Sequence, residues 1–168
     1  MDNHIEEEQA VPTFYERIRA MNEMYKLHVS DVPCLPENTI ERLRKFKKTL
    51  SDELDEIDLI IEKLEAVQGG EMNKEDSDDF AANIVTDIAD LFCDINVYCV
   101  SESLKYGIPH EEVLDIIMDS NESKLADDGI PIYDENGKFQ KDVKNYWKPE
   151  PMIKNLIVCM GPVVEGKW

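Results

Sequence analysis

Apolar residues recur at helical spacing along three long stretches of this chain, and this periodicity constrains the fold more than any other feature. The first stretch runs from Pro12 to Tyr25, the second from Asn38 to about Val67, and the third from Phe80 to about Tyr106. Spacings of three and four residues place side chains on one face of an α-helix. The sequence therefore predicts three long amphipathic helices, with Gly69 and Gly107 at the ends of the second and third.

The rest of the chain completes this plan. Residues 110 to about 125 predict a fourth helix. Asn136-Gly137, between Ile132-Tyr133 and Phe139, predicts a hairpin with a two-residue turn. A short helix is expected after Pro149. The predicted fold is all-α: an antiparallel four-helix bundle over residues 12–126, preceded by a flexible acidic arm (1–11) and followed by an extended, turn-rich tail (127–168). Residues 71–78 are expected to form a polar surface loop.

The charge of the chain limits its partners. Among 168 residues there are 37 acidic and 18 basic side chains, for a net charge of −19. Nucleic-acid polymers require a basic surface, so we expect none to bind. No apolar run is long enough to cross a membrane, and the acidic N-terminus does not resemble a signal peptide, so a cytoplasmic protein without a membrane partner is expected. The cysteines lack metal-binding spacing and are expected to be reduced and buried.

Acidic residues fall inside two of the predicted helices. Glu53 and Glu56 are three residues apart and share one face, as do Asp87 and Asp90, whose face Asp94 continues. If these helices pack together, four or more carboxylates converge, which is unfavourable without protonation or a cation. An all-oxygen cluster suits Mg²⁺, for which Mn²⁺ can substitute. A di-iron site is disfavoured, because no histidine lies three residues after Glu53, Glu56, Asp87 or Asp90.

Several segments together resemble a known family. Residues 52–56 (Asp-Glu-Leu-Asp-Glu) are similar to the E-E-x-x-E motif of the MazG-like all-α nucleoside triphosphate pyrophosphohydrolases, and residues 87–90 are similar to their E-x-x-D motif. Residues 120–124 (Ser-Asn-Glu-Ser-Lys) and residues 134–149 resemble the S-N-x-S-K and D-G-K…N-Y…P segments of one branch. Asp52 and Asp87 stand where the motifs have Glu; each keeps the carboxylate and shortens its reach by one methylene.

The resemblance implies a reaction and a set of site residues. The family uses Mg²⁺ to hydrolyse (d)NTPs between the α and β phosphates, giving a nucleoside monophosphate and pyrophosphate. By this likeness Glu53, Glu56, Asp87 and Asp90 would bind the metal, and Asp52 would be an outer-shell group or the base that orients water, next to Lys48. The nucleotide-contacting residues would be Asn121, Lys124, Lys138, Lys144, Asn145 and Tyr146. The last four belong to the tail, which would close over the nucleotide or over a neighbouring subunit.

Other interpretations stay open at this stage. Within the same superfamily, a dimeric dUTPase-type or a phosphoribosyl-ATP pyrophosphohydrolase activity would share the metal and the pyrophosphate product. From another class, the chain could be a non-catalytic helical adaptor whose acidic faces bind a basic partner. Family analogy suggests a bacterial or phage enzyme acting on a purine dNTP, and a homodimer or homotetramer, since the apolar faces exceed the needs of a small monomer.

The first helix carries large apolar side chains that favour two interpretations. Phe14, Met21, Met24 and Tyr25 lie at helical spacing. They are expected either in the core or, alternatively, as the apolar wall of a base pocket.

Overall fold

The computed structural model describes residues 11–69, 77–161 and 163. In chain order its elements are α1 (Phe14–Met24), α2 (Thr39–Gln68), α3 (Ser77–Lys105), α4 (His110–Glu122), β1 (Ile132–Tyr133), β2 (Phe139–Gln140) and α5 (Glu150–Cys159). The described chain is mostly helical, in agreement with the predicted all-α class. The predicted arm (1–11) and polar loop (71–78) lie outside the described residues, except for positions 11, 77 and 78.

Helix α1 begins at a complete capping box and packs on the C-terminal half of α3. The Thr13 hydroxyl accepts a hydrogen bond from the Glu16 N–H, and the Glu16 carboxylate accepts one from the Thr13 N–H. Ile18 packs against Val100 and Leu104 of α3. Only part of the expected α1 core forms, because Met21 packs there whereas Phe14, Met24 and Tyr25 are exposed.

A buried polar pair fixes the position of α1 on α3. The Asn22 amide donates to the Ser101 carbonyl oxygen (3.1 Å), and the Ser101 hydroxyl donates to the Asn22 side-chain oxygen (2.7 Å). Asn22 is fully buried. Because each group has a partner, this pair adds a specific docking geometry without leaving an unsatisfied polar atom.

Helices α2 and α3 run antiparallel along most of their length. Lys63 meets Asp87 near one end of the pair, and Phe46 and Glu102 line the same hollow near the other. Between them Ile60, Ile84 and Leu91 form a second buried cluster. The apolar face predicted for α2 is only partly used in this packing: Ile40, Leu43, Leu54, Ile61 and Leu64 are exposed.

Helix α3 is the element on which the fold is centred. It packs against α1, α2 and α4, and α4 in turn packs against α5. Among the described residues no comparably extensive packing joins α1 or α4 to α2. The closed four-helix bundle predicted from the sequence is therefore not confirmed.

The chain turns sharply after α3. Gly107 has φ +61°, and a Cβ at this position would lie 2.0 Å from the Val32 carbonyl oxygen. The connector before α2 is held to this turn, since the Ser30 N–H donates to the Leu104 carbonyl and the Cys34 N–H to the Tyr106 carbonyl. Glycine is required here both for the left-handed backbone and for the close approach.

The predicted hairpin forms, but with a longer turn than expected. Tyr133 pairs with Phe139, and the Asp134 N–H donates to the Lys138 carbonyl oxygen. Gly137 lies inside this turn at φ +76°. The Asp134 carboxylate accepts backbone N–H bonds from Asn136 and Lys138, which stabilises the longer loop. The two-residue turn was thus a wrong prediction, whereas the strands and α5 are as predicted.

Two further expectations can be compared with the described chain. Among the described residues, no helix combines the length and the apolar character needed to cross a membrane. All four cysteines are free, as predicted, but Cys93 and Cys159 are exposed and Cys34 and Cys99 are half-buried. The expectation of buried thiols was wrong because Cys93 lies on a face of α3 that no described element covers.

Candidate active site

A cleft of about 190 Å³ lies between α2 and α3. We call it the carboxylate cleft, and its walls are Glu56, Leu59, Ile60, Lys63, Asp87 and Asp90. Three of the predicted site residues therefore meet here. Helical spacing explains the arrangement, because Glu56 and Lys63 are two turns apart on α2 and Asp87 and Asp90 are one turn apart on α3.

Glu53 lies next to this cleft and is buried, with 7% of its surface exposed. Burial raises the pKa of the Glu53 carboxyl above its usual value, and the negative charges of Glu56, Asp94 and Asp90 raise it further. We call these four residues the carboxylate cluster. Both causes disfavour the ionised form of Glu53, which is the response expected of a buried carboxyl with acidic neighbours.

Tyr98 borders the carboxylate cluster one turn beyond Asp94. Hydrogen bonding from the Tyr98 hydroxyl lowers the pKa of Glu53 and so opposes part of the shift. Burial first, and then the Glu53 and Asp94 charges, raise the pKa of the Tyr98 phenol. The phenol therefore stays protonated and can donate a hydrogen bond in this acidic surrounding.

The other two predicted carboxylates are paired with lysines. The Lys63 ammonium binds the Asp87 carboxylate at 2.6 Å across the two helices. On α2, Lys48 binds Asp52 at 2.7 Å, one turn apart, which confirms the contact predicted from the sequence. Asp52 is mostly exposed and does not line the carboxylate cleft.

The chemistry of these residues fits a divalent cation, although their present spacing does not enclose one. Among the described residues, no three Asp, Glu, His or Cys side chains converge closely enough to hold a metal ion. Carboxylate oxygens are nevertheless the ligands that Mg²⁺ prefers. The buried Glu53, with three acidic neighbours, is the kind of charge that a bound cation would stabilise.

The two residues predicted to meet phosphate oxygens bind each other instead. The Lys124 ammonium donates to the Asn121 side-chain oxygen. Helix α4 ends at Glu122, so Lys124 lies in the following turn rather than on the helix as predicted. Nearby, the Ser120 hydroxyl donates to the Trp147 carbonyl oxygen (2.9 Å), which fastens the tail to the end of α4.

The predicted nucleotide-contacting residues of the tail also have local partners. Lys144 and Asn145 both bind the Asp127 carboxylate, at 2.5 and 2.7 Å. The Lys141 ammonium lies 4.1 Å from the centre of the Tyr146 ring. Lys138 is exposed in the hairpin turn. In the part of the chain that the structure describes, no hydrogen bond or ion pair joins these side chains to the carboxylate cluster.

The structure adds residues that the sequence left outside the predicted ligand set. Asp94 belongs to the carboxylate cluster, and its position four residues after Asp90 is the signal that indicates this. Tyr98 follows by the same spacing. Lys63 could not be assigned from sequence, because its contact with Asp87 depends on how α2 and α3 are aligned.

Comparisons with known proteins do not assign a function to this chain, so any functional assignment rests on the residues described above. No protein-family model matches the chain. Comparison with curated proteins likewise finds no match.

Proposed function

We propose that this protein is a Mg²⁺-dependent nucleoside triphosphate pyrophosphohydrolase that converts a (d)NTP and water to a (d)NMP and pyrophosphate. The observation that carries the proposal is the buried Glu53 carboxylate, whose pKa is raised by burial and by the charges of Glu56, Asp94 and Asp90. A purely structural acidic face would be exposed to water. Perturbed carboxylates beside a cleft are typical of functional sites.

The metal would be held by residues of both helices. We propose Glu53, Glu56 and Asp90 as the ligands, with Asp94 beside them; their carboxylates would have to move closer together to enclose the ion. Asp87, the remaining ligand expected from the family resemblance, becomes available when Lys63 leaves it. Bound Mg²⁺ would neutralise the phosphate oxygens and polarise the bond to be broken.

The side chains around the cleft would bind and orient the substrate. Lys63 lines the carboxylate cleft and is half-exposed, so its ammonium can move from Asp87 to a phosphate oxygen. Tyr98 can donate to an oxygen of the substrate or of the attacking water. Asp52 would orient that water only after its pair with Lys48 opens, and so fits an outer-shell role better than that of a resident base.

The remaining predicted contacts imply a neighbouring subunit. Asn121, Lys124 and the tail residues are engaged away from the carboxylate cleft within one chain. We propose that they approach the nucleotide from another copy in a homodimer or homotetramer. The exposed apolar residues of α2 and α3 support such an assembly, since Leu54, Ile61 and Phe92 are each more than 40% exposed.

The substrate is proposed by analogy to be a purine dNTP in a cytoplasmic nucleotide pool, in a bacterium or a phage-infected cell. The test is turnover of the eight common NTPs and dNTPs with Mg²⁺, with pyrophosphate and orthophosphate measured separately. Monophosphate plus pyrophosphate from one or a few substrates is expected. A dUTP-only profile, or phosphoribosyl-ATP turnover, would redirect the assignment within the superfamily.

Two variants make this test specific. Asp90→Asn removes a proposed ligand with little change in volume and should abolish turnover. Asp58→Asn makes the same chemical change at an exposed position of α2 outside the carboxylate cleft and should keep it. Orthophosphate as the product, or equal activity in both variants, would contradict the proposal.

A further inference from the structure

Apolar side chains form a stripe along α2 that the described fold leaves largely open. The stripe consists of Leu43, Leu50, Leu54, Ile57, Ile61 and Leu64. Spacings of three, four and seven residues place them on one face of the helix. Four of the six are more than a third exposed, and Leu54 at the middle is 57% exposed. We call this row the α2 stripe.

Helix α3 carries a second stripe beside the first. Val85 and Phe92 are seven residues apart and are 65% and 59% exposed, and Cys99 follows after another seven. Cys99 lines one hollow together with Leu43 of the α2 stripe, so the two stripes lie on the same edge of the α2–α3 pair. We call the two stripes together the apolar face.

The carboxylate cleft opens on the other edge of this helix pair. Glu56 and Lys63, which line the cleft, each lie two residues after a member of the α2 stripe, Leu54 and Ile61. Two residues correspond to about 200° of rotation around an α-helix. The apolar face is therefore separate from the candidate active site, and substrate binding does not account for it.

Exposed positions along the α3 stripe carry no charge. The residues four positions from Val85 or Phe92 are Ala81, Ala89 and Asn96, and all three are exposed. The charged residues between positions 81 and 99 are three aspartates, all of which belong to the carboxylate cleft or the carboxylate cluster. In a chain that is 33% charged, an exposed row without charge is typical of the centre of a protein–protein interface.

The apolar face is large enough for such an interface. From Leu43 to Leu64 it is about 32 Å long at 1.5 Å per residue, and two adjacent helices are about 20 Å wide. The resulting area of roughly 600 Å² approaches the about 800 Å² that each partner contributes to a stable complex.

The charges beside the α2 stripe indicate the chemistry of the partner. Arg44 and Lys47 lie along the first half of the stripe, and Glu62 and Glu65 lie along the second half. In the part of the chain that the structure describes, none of these four forms an ion pair, whereas the other three lysines of α2 each bind a carboxylate. A partner must therefore be acidic opposite the first half and basic opposite the second.

We infer that the apolar face binds a second copy of this chain, with the two α2 helices antiparallel about a two-fold axis near residues 53 and 54. An antiparallel copy presents its acidic half to the basic half of the first, and symmetry makes this contact twice. The same axis brings Leu43 level with Leu64, and Arg44 level with the turn that contains Glu62. One axis thus aligns both the apolar and the charged residues.

This pairing places α2 and α3 of both copies around a shared apolar core. The four-helix bundle predicted within one chain would then be formed between two chains. Both carboxylate clefts lie on the outer edges, where they stay accessible to substrate and to the tail of a neighbouring copy. The inference does not rest on the proposed reaction, because its tests measure association alone.

The first test is the mass of the full chain in solution, measured by sedimentation velocity in EDTA. The unmodified protein should be a dimer or a tetramer of two such dimers, and Leu54→Glu should halve its mass. Leu59→Glu is the matched control, since Leu59 is also 57% exposed on α2 but lines the carboxylate cleft, and it should keep the mass. A monomeric unmodified protein at 100 µM, or equal masses of the two variants, would overturn the inference.

Cross-linking tests the position of the two-fold axis. Residues beside such an axis lie closest to their own copies, so Leu54→Cys should form a disulfide-linked dimer on mild oxidation. The exposed Cys93 and Cys159 are first replaced by serine. Leu59→Cys in the same background should stay uncrosslinked. A dimer in which Leu54→Cys does not cross-link would exclude the antiparallel pairing of α2.

A charge exchange tests the pairing without altering the apolar face. Arg44→Glu should raise the dissociation constant of the dimer by about 10-fold, and adding Glu62→Arg should restore most of the lost affinity. Arg44 and Glu62 are about 27 Å apart along one helix, so only a contact between copies explains such a rescue. A double variant as weak as Arg44→Glu alone would contradict the proposed register.

Discussion

The contacts of α3 with α1 and with α2 both bury polar side chains, and they do so in opposite ways. Toward α1, Asn22 and Ser101 are neutral and satisfy each other at 2.7 and 3.1 Å. Toward α2, Glu53 is buried with Glu56, Asp90 and Asp94 as neighbours, and its pKa is raised. The first arrangement stabilises the fold by itself, whereas the second needs a proton or a cation to be stable. On the function proposed above, the α1–α3 contact has a structural role and the α2–α3 contact carries the active site.

The largest effect should come from removing the charge at the centre of the carboxylate cluster. Glu53→Gln keeps the shape of the side chain but loses one oxygen of the proposed metal site, so kcat/KM for the best triphosphate should fall by about 100-fold or more. The folded state should not suffer, because a neutral amide relieves the repulsion among the carboxylates. Steady-state kinetics and thermal melting check the two parts. A loss of activity that merely follows a loss of folded protein would mean that Glu53 is structural.

The opposite pattern is expected at the contact between α1 and α3. Asn22→Ala leaves the Ser101 hydroxyl without its acceptor in a buried place, and should destabilise the protein by about 2–3 kcal/mol. Below its melting temperature the variant should keep its activity, since Asn22 lies outside the carboxylate cleft. Urea denaturation measures the free energy of unfolding, with the exposed Asn83→Ala on α3 as control. Equal stability of the two variants would remove the contrast between the α1–α3 and α2–α3 contacts.

A cation should stabilise the α2–α3 contact, where the carboxylates repel one another, and should not affect the α1–α3 contact, where Asn22 and Ser101 satisfy each other. At a Mg²⁺ concentration 100 times its Kd, the folded state gains about 2.7 kcal/mol. For a chain of this size this corresponds to a rise in Tm of about 5–10 °C. Glu53→Gln should lose most of this rise, while Asn22→Ala should keep it from a lower starting Tm. Melting curves of the unmodified protein and the two variants, in EDTA and in Mg²⁺, give the six values needed.

The pH dependence of stability should distinguish the unmodified protein from Glu53→Gln. Because the folded-state pKa of Glu53 is raised above 4.5, the folded protein releases this proton at higher pH than the unfolded chain does. Ionisation of Glu53 therefore destabilises the fold as pH rises from about 4.5 through the raised pKa. In EDTA, the Tm of the unmodified protein should fall over this range relative to that of Glu53→Gln. A constant difference between the two curves would show that Glu53 does not titrate abnormally.

The smallest effect is expected at the paired charges of the tail. Bonding to Lys144 and then to Asn145 lowers the pKa of Asp127, the opposite of the shift at Glu53. Asp127 and Lys144 are exposed and screened by solvent, so Asp127→Asn should change Tm by no more than the error of the measurement. An effect on triphosphate KM without an effect on Tm would instead support the proposed role of the tail at a neighbouring subunit.

Much of the secondary structure was predictable because it depends on local signals. The capping residues Thr13 and Glu16, the glycine after α3, and the three- and four-residue spacings of apolar side chains predict where helices begin, end and face. The same spacing brings Asp90, Asp94 and Tyr98 to one side of α3. The hairpin was predicted from Asn136-Gly137, although its turn length was not, because the Asp134 side chain competes for the backbone N–H groups.

What the sequence alone determined about this protein is its helical class, the faces of its helices, and the presence of two acidic motifs at helical spacing. Only the tertiary structure decided which carboxylates meet, because the rotation and the axial alignment of two helices are set by packing across the interface. That packing pairs Lys63 with Asp87, buries Glu53, and leaves much of the apolar stripe of α2 exposed. It also left Oε1 of Glu102 and the Tyr106 hydroxyl buried without a hydrogen-bond partner among the described residues, which no pattern of spacing along the chain predicts.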